Sequence, residues 1–299
     1  MDDTLFPFTA TRAIADIRIG ILTIREKEQQ GARGILHWVP RLTHPWHIFQ
    51  FNAEALVDDY TLLTSGAVSQ PIPPTVQAIA PENIFIEEGA VLQHCILNAS
   101  TGPIYIGARA EIMEGSLIRG PFALCEGATV KMGTKIYGAT TVGPYSVVGG
   151  EIKNSVIFGY SNKGHDGYLG DAVIGEWCNL GAGTSNSNLK NNAAEVRVWD
   201  EPTRQFISAG TKCGLLMGDY SRSAINTSFN TGTVTGVCCN IFGEGLTPKC
   251  IPSFSWGYSQ SPKYELEKAL RDIAGWKRLK GHTLSDAEIQ KLKYIFEKS

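Results

Sequence analysis

The sequence predicts a mainly β protein built around a parallel β-helix, and three observations carry that expectation. First, Ile106, Ile112, Ile118, Leu124, Val130, Ile136, Val142 and Val148 fall on one six-residue grid. An α-helix turns every 3.6 residues and cannot hold that register. An ordinary strand alternates every two residues and does not select every third inward position. A six-residue apolar repeat is the mark of a prism in which three hexads make one triangular coil. Second, Gly107, Gly115, Gly120, Gly127, Gly133, Gly138 and Gly143 stand between the grid positions, several of them suited to corners that need a permissive backbone. Third, the chain holds 32 glycines, as a solenoid with many corners requires.

The elements follow in order. Residues 1–83 lack the grid and read as a separate N-terminal segment. Within it, 5–27 is apolar and ends in charge, and 28–34 is a polar, Gly-containing linker. Residues 44–66 suggest a short helix from Asn52 to Tyr60 and a turn at Ser65-Gly66, with His44 and His47 packing around Pro45-Trp46. The Pro-rich stretch 71–83 is extended. The solenoid is expected over 84–257, opened by Ile86 and Leu92 and shifted in phase at Thr101-Gly102-Pro103. Its grid stops after Val148, passes through the polar stretch 151–167, and resumes at Tyr168, Ile174 and Leu180. The segment 185–205 is too polar for stacked coils and reads as a protruding loop or hairpin. Weaker hexads return over 213–243, and prolines in 246–257 end the solenoid. The tail, 258–299, is helical. Leu266, Ala269, Leu270 and Ile273 have helical spacing after Pro262, and Gly275 weakens that helix near its end. A second helix starts at Ser285, with Glu288 completing a capping box and Ile289, Leu292 and Phe296 forming its apolar face. Open coil ends need covers, and the two flanking segments are the natural ones.

Composition narrows the function. A net charge of −2 gives no reason to expect a nucleic-acid partner. No apolar run reaches the length of a membrane span. The acidic N-terminus does not resemble a secretory signal. The seven cysteines (Cys95, Cys125, Cys178, Cys213, Cys238, Cys239 and Cys250) include no CxxC and read as reduced core residues of a cytoplasmic protein.

Chemistry gathers where the grid is lost: Lys153, Lys163, His165 and Tyr168, then Asn179 and Asn188. A buried repeat does not need these residue types, whereas a site for a phosphorylated sugar and a pantetheine thioester does. Lysines offer charge to phosphate. A histidine near its ordinary pKa takes a proton from an attacking amine at neutral pH. Asparagines and backbone N–H groups hold a developing oxyanion.

The run 164–188, GHDGYLGDAVIGEWCNLGAGTSNSN, resembles the acetyltransferase half of the bifunctional UDP-N-acetylglucosamine pyrophosphorylase/glucosamine-1-phosphate N-acetyltransferase family, with its GH-x-x-YLGDA-x-IG and GAGT elements. The resemblance implies a left-handed parallel β-helix of the hexapeptide-repeat class, with a short α/β N-terminal remnant. It implies His165 as catalytic base, Lys135, Lys153, Tyr168 and Asn179 as substrate-binding residues, and Ala182 and Asn188 at the acetyl-CoA end. It further implies a homotrimer with sites between subunits, acting on a sugar phosphate or UDP-sugar and needing no metal for acetyl transfer. The family's tyrosine after Asn188 is Leu189 here.

Residues 7–27, PWHIFQFN and IPSFSWG make the whole chain resemble a group of sugar nucleotidyltransferases, whose activity would use Mg²⁺ and a nucleoside triphosphate. Members carry a much longer stretch where Lys27 and His44 are here only 17 residues apart, and the Gly-rich uridylyl loop survives only as Thr11-Arg12. That leaves a truncated nucleotidyltransferase-like segment. A non-catalytic sugar-nucleotide scaffold is the remaining alternative. A γ-class carbonic anhydrase would need three metal histidines between coils, and only His94 and His165 lie in the solenoid.

Overall fold

The computed structural model describes residues 4–32, 38, 40–258 and 262–299. Its centre is a three-sided parallel β-helix. The first face has six strands, from Gln77–Ile79 through Lys135–Tyr137 and Glu151–Lys153 to Tyr168–Gly170. The second has nine, from Ile84–Ile86 to Cys250–Ile251, and the third has eight, from Val91–Leu92 to Asn240–Ile241. Neighbouring strands pair in parallel and in register, so Ile118 lies beside Leu97 and Ile136, and Val130 beside Ile112 and Val148. All eight predicted grid residues are 2 % exposed or less and share one apolar core. The first strand is Gln77–Ile79, seven residues before the expected start.

The grid does not stop after Val148. Its inward row continues through Ile152, Ile157, Lys163 and Leu169 before Ile174 and Leu180. The phase changes because four residues separate Val148 from Ile152, where six separate Val130 from Ile136 and Lys163 from Leu169. The shortening also corrects the expectation for Tyr168, which faces outward, while Leu169 takes the inward place beside Ile152.

The flanking segments cover one face and one edge of the prism, whereas covers for its open coil ends were expected. The N-terminal residues include α1 (Ile24–Ala32), α2 (His47–Gln50) and α3 (Asn52–Thr64). The expected 28–34 linker is helical as far as Ala32, and its last two residues lie outside the described ones. Phe8, Ile17, Ile19, Trp46 and Phe49 pack on Val156, Phe158, Val173 and Leu216 of the second face. Polar contacts fix the docking. Asn52 accepts from Gly20 N–H (2.8 Å) and donates to the Ala139 carbonyl (3.0 Å), and Lys27 is buried against Asp59, which also accepts from Ile21 N–H (2.7 Å). Thr11 and Arg12 both bind Asp219, and Arg12 reaches Glu176 at 3.1 Å. His44 stacks on Trp46 with ring centroids 4.4 Å apart.

At the C-terminal end, α4 (Leu266–Leu279) buries Ala269, Leu270 and Ile273. Gly275 lies inside this helix and does not end it, since packing outweighs its propensity cost of about 1 kcal/mol. The expected capping box is present at the start of α5 (Asp286–Lys298), where the Ser285 side chain accepts from Glu288 N–H. Both helices seat on an aromatic ladder along the edge between the second and third faces. Tyr145, Tyr160, Trp177 and Tyr220 all have left-handed backbones (φ 56–60°). Tyr160 stacks on Trp177 at 4.3 Å, and His282 meets both rings edge-on. A left-handed aromatic residue costs energy, and the stacking of successive rings offsets it. The expected protrusion starts later than Ser185, since Ser185–Asn186 is a coil strand paired in parallel with Ser228–Phe229; it is an antiparallel hairpin, Arg197–Asp200 against Gln205–Ser208.

Candidate functional site

The edge between the third and first faces carries the site. At this edge most coils turn with a side chain at the tip, such as Met132, which is 70 % exposed. The short turn after Val148 consists only of Gly149 and Gly150. A Cβ on Gly149 would meet the Gly164 backbone at 2.8 Å, and one on Gly150 would meet the His165 and Gly167 carbonyls at 2.8 Å. The side-chain-free turn therefore lets the backbone of residues 164–167 pack directly against it. His165 sits at the tip of that next turn and is exposed. Above it stands the Gly181-Ala182-Gly183 turn, tied by the Gly183 N–H donating to the Asp166 carbonyl (3.1 Å). The N–H groups of Ala182 and Asp166 have no acceptor among the described residues.

The first face adjoins this edge and bears the anion-binding residues. Lys135, Glu151 and Tyr168 occupy one outward row, and Tyr137 and Lys153 the next. Rungs lie about 4.8 Å apart, so these side chains share one patch. Neither Lys135 nor Lys153 has a carboxylate partner within ion-pair distance among the described residues, so both charges remain available to a ligand. Tyr137 donates to Glu151 (2.5 Å), which pushes the phenol up to about 12. Tyr168 folds back over Gly170, where a Cβ would strike its ring, and its hydroxyl accepts from Asn188 Nδ2 at 3.2 Å. Burial, then the nearby Asp171, holds this phenol well above its ordinary pKa, so it stays protonated as a donor. Asp171 accepts from both Asn154 (2.7 Å) and Asn188. A depression of about 800 Å³ extends from Lys135, Tyr137 and Glu151 down to Arg119, Leu117 and Ile96.

The structure thus brings His165 and Ala182 together at one edge, and Lys135, Lys153, Tyr168 and Asn188 together on the face beside it. Asn179 lies apart. It faces outward on the third face, between Asn162 and Arg222. There Lys280 donates to Asn162 (3.0 Å), and the Arg222 guanidinium lies 5.3 Å from the Trp276 ring.

Sequence reading missed Asp171 and Tyr137. Asp171 stands inside the quoted YLGDA element and carries a left-handed φ of 47°, so its place in the motif was the available signal. Tyr137 gave none, because it becomes relevant only through strand register. The cysteines are not nucleophile candidates. All seven are unpaired, and burial pushes the Cys95 and Cys125 thiols up to about 11.

The chain has likenesses among known proteins. A family model described as sugar nucleotidyl transferase matches residues 2–39. The chain is 27% identical over 237 residues to the bifunctional protein GlmU of Methanocaldococcus jannaschii, covering 79% of this chain and 51% of that protein. It is 33% identical over 110 residues to a bifunctional sugar-1-phosphate nucleotidylyltransferase/acetyltransferase of Sulfurisphaera tokodaii, covering 37% of this chain and 26% of that one. The chain spans about half the length of the first curated relatives it matches. Among solved structures, the UDP-N-acetylglucosamine acyltransferase of Francisella novicida aligns over 74% of this chain and 78% of its own, at 15% identity and a TM-score of 0.39.

Proposed function

We propose that this chain transfers an acyl group, with acetyl the leading case, from a coenzyme A thioester to the amine of an amino sugar phosphate of the glucosamine-1-phosphate type. The observation that carries the reading is the meeting, at one edge, of an exposed imidazole, an unclaimed N–H at Ala182 and a face with two unpaired lysines. The sugar phosphate lies on the first face, its phosphate toward Lys135 and Lys153 and a hydroxyl toward Tyr168. The thioester carbonyl lies at the edge, beside His165 and Ala182. The amine attacks that carbon, His165 takes the ammonium proton, and the oxyanion is met by the Ala182 N–H. Collapse expels the coenzyme A thiolate and leaves the amide. Asn179, on the third face, stands apart from the sugar phosphate, and Asn188 acts through Tyr168. The relatives' printed names, which join sugar-phosphate and acetyl transfer, support the same chemistry.

The outer side of the first face carries Ile79, Ile96 and Leu117 beside the lysines and is covered by no other element of the described chain. We propose that it faces a second copy within a homotrimer, with sites between subunits. Light scattering would give three chain masses, and a monomer would remove this assembly.

The match over residues 2–39 supports descent of the N-terminal segment from a nucleotidyltransferase. Within the described residues of the segment, Asp59 is buried with Lys27 and Asp16 pairs with Arg25. We propose instead that the segment acts as a clamp on the second face. The deciding assay incubates the protein with acetyl-CoA and glucosamine-1-phosphate and follows free thiol. Thiol release that depends on the sugar phosphate supports the reading, and its absence at any substrate concentration defeats it.

A further inference from the structure

Lys163 occupies an inward grid position, 1 % exposed, beside Val148 in the lumen of the prism. Lumen positions in this row otherwise hold Leu92, Ile112, Val130, Val148, Leu180 and Ile241, with a serine at Ser223. An ammonium there is expensive to desolvate, and burial lowers its pKa to about 8. Its Nζ donates to two carbonyls, Gly149 (3.2 Å) and His165 (2.5 Å).

The first bond has counterparts in other coils. The Lys131 carbonyl, one residue past its grid position like Gly149, accepts from the hydroxyls of Ser116 and Thr134. The Ala224 carbonyl accepts from Thr184 and Thr227 in the same way. The two-glycine turn has no hydroxyl, so Lys163 serves the Gly149 carbonyl from inside.

The second bond has none. Two residues past the grid position, the Glu114 and Ala182 carbonyls accept the N–H of Gly133 (2.9 Å) and Asn226 (2.7 Å) in the next coil. His165 stands at that place, yet the next coil's Gly183 N–H bonds one residue further on, at Asp166. The ladder slips by one residue at this corner alone of the three, and the carbonyl released from it is the one Lys163 holds. In a trans peptide the N–H points opposite to the carbonyl. A His165 carbonyl drawn into the lumen therefore sends the Asp166 N–H outward, where it has no acceptor among the described residues.

We infer that Lys163 is a positioning residue for the acyl-transfer site: from inside the prism it captures the His165 carbonyl, holds the 165–166 peptide out of the ladder, and presents that peptide's N–H beside the imidazole. The inference rests on the acyl-transfer reading above for its purpose and on the hydrogen-bond pattern for its geometry, and the two are tested separately.

The experiment compares wild type, Lys163→Met and Lys163→Gln in the thiol-release assay. In parallel, hydrogen exchange is followed by mass spectrometry in a peptide containing Gly183, whose N–H reports the slipped bond. The expected result is a fall in kcat of about tenfold or more in Lys163→Met, with KM for the sugar phosphate within about twofold. Lys163→Gln, which keeps a donor, falls between the two. Exchange at Gly183 accelerates about tenfold in Lys163→Met. Wild-type kcat in Lys163→Met overturns the inference, as does a parallel loss of kcat, KM and thermal midpoint, which marks a merely structural lysine. If wild type itself releases no thiol, the acyl-transfer reading falls. The tether is then judged by exchange alone, and unchanged Gly183 protection overturns it too. If Lys163→Met does not fold, Lys163→Gln carries the same comparison.

Discussion

Along the third face, the lower coils turn Leu92, Ile112, Val130 and Val148 into the lumen, while one coil higher the same row holds Lys163. At the neighbouring edge, the lower coils turn through three or four residues tipped by side chains such as Met132, and the coil below His165 turns through two glycines. Both regions keep parallel pairing without a break. The difference teaches that the repeat tolerates a local change of filling and of corner length. Where that tolerance is used, stability does not explain the choice of residue. An apolar lumen gains most from an aliphatic side chain, so a lysine there is better explained by what its ammonium holds.

Substitutions in the two regions should therefore separate function from stability. The largest effect is expected in the upper region. His165→Ala lowers kcat by about 10²–10⁴-fold, the usual worth of a general base, and leaves the denaturation midpoint in place because the side chain is exposed. A wild-type rate in that variant would erase the functional half of the contrast. Leu124→Ala, in the lower region, reverses the pattern. It removes a fully buried side chain and costs about 2–5 kcal/mol in urea unfolding, with kcat per folded molecule unchanged.

Next in size is Lys153→Ala, which removes one phosphate contact. It should raise KM for the sugar phosphate about tenfold at nearly constant kcat, the loss of one charged hydrogen bond. An unchanged KM would move the phosphate elsewhere on the face.

The smallest effect is a pH dependence. Folded Lys163 is lowered to about 8, whereas an unfolded lysine titrates near 10.4. Between those values the unfolded chain holds more protons, so this residue's penalty is full below pH 8 and is relieved as pH rises toward 10.4. The stability of wild type relative to Lys163→Gln should climb across that window. No such slope should appear when wild type is compared with Val130→Ala in the lower region.

The same contrast explains what was legible in the sequence. Where every corner has one length, the apolar period alone places Ile106 to Val148. After Gly149-Gly150 the period is four, then five, then six, so a fixed grid put Tyr168 inward in place of Leu169 and hid the coil between. The hairpin after Ser185 was readable from its polarity, and α5 from Ser285 and Glu288. His165, Ala182, Tyr168 and Asn188 came from one contiguous motif, and Lys153 and Lys135 from counting back from it without gaps. The separation of Asn179 did not, because adjacent positions in sequence part company at a corner. Arg12 was singled out as a loop remnant, but its ion pairs were beyond sequence reasoning. Its partners Glu176 and Asp219 lie far along the chain, and only docking brings them together.

The two-residue turn at Gly149-Gly150 has a consequence for how such proteins diversify. In most folds a deletion propagates, because every downstream residue changes its neighbours. Here each rung is re-registered by the strand beneath it, so residues lost at a vertex are absorbed within one storey and the architecture above resumes unchanged. A lineage carrying this scaffold can shorten a vertex by a small genetic lesion and then refine the residues around it.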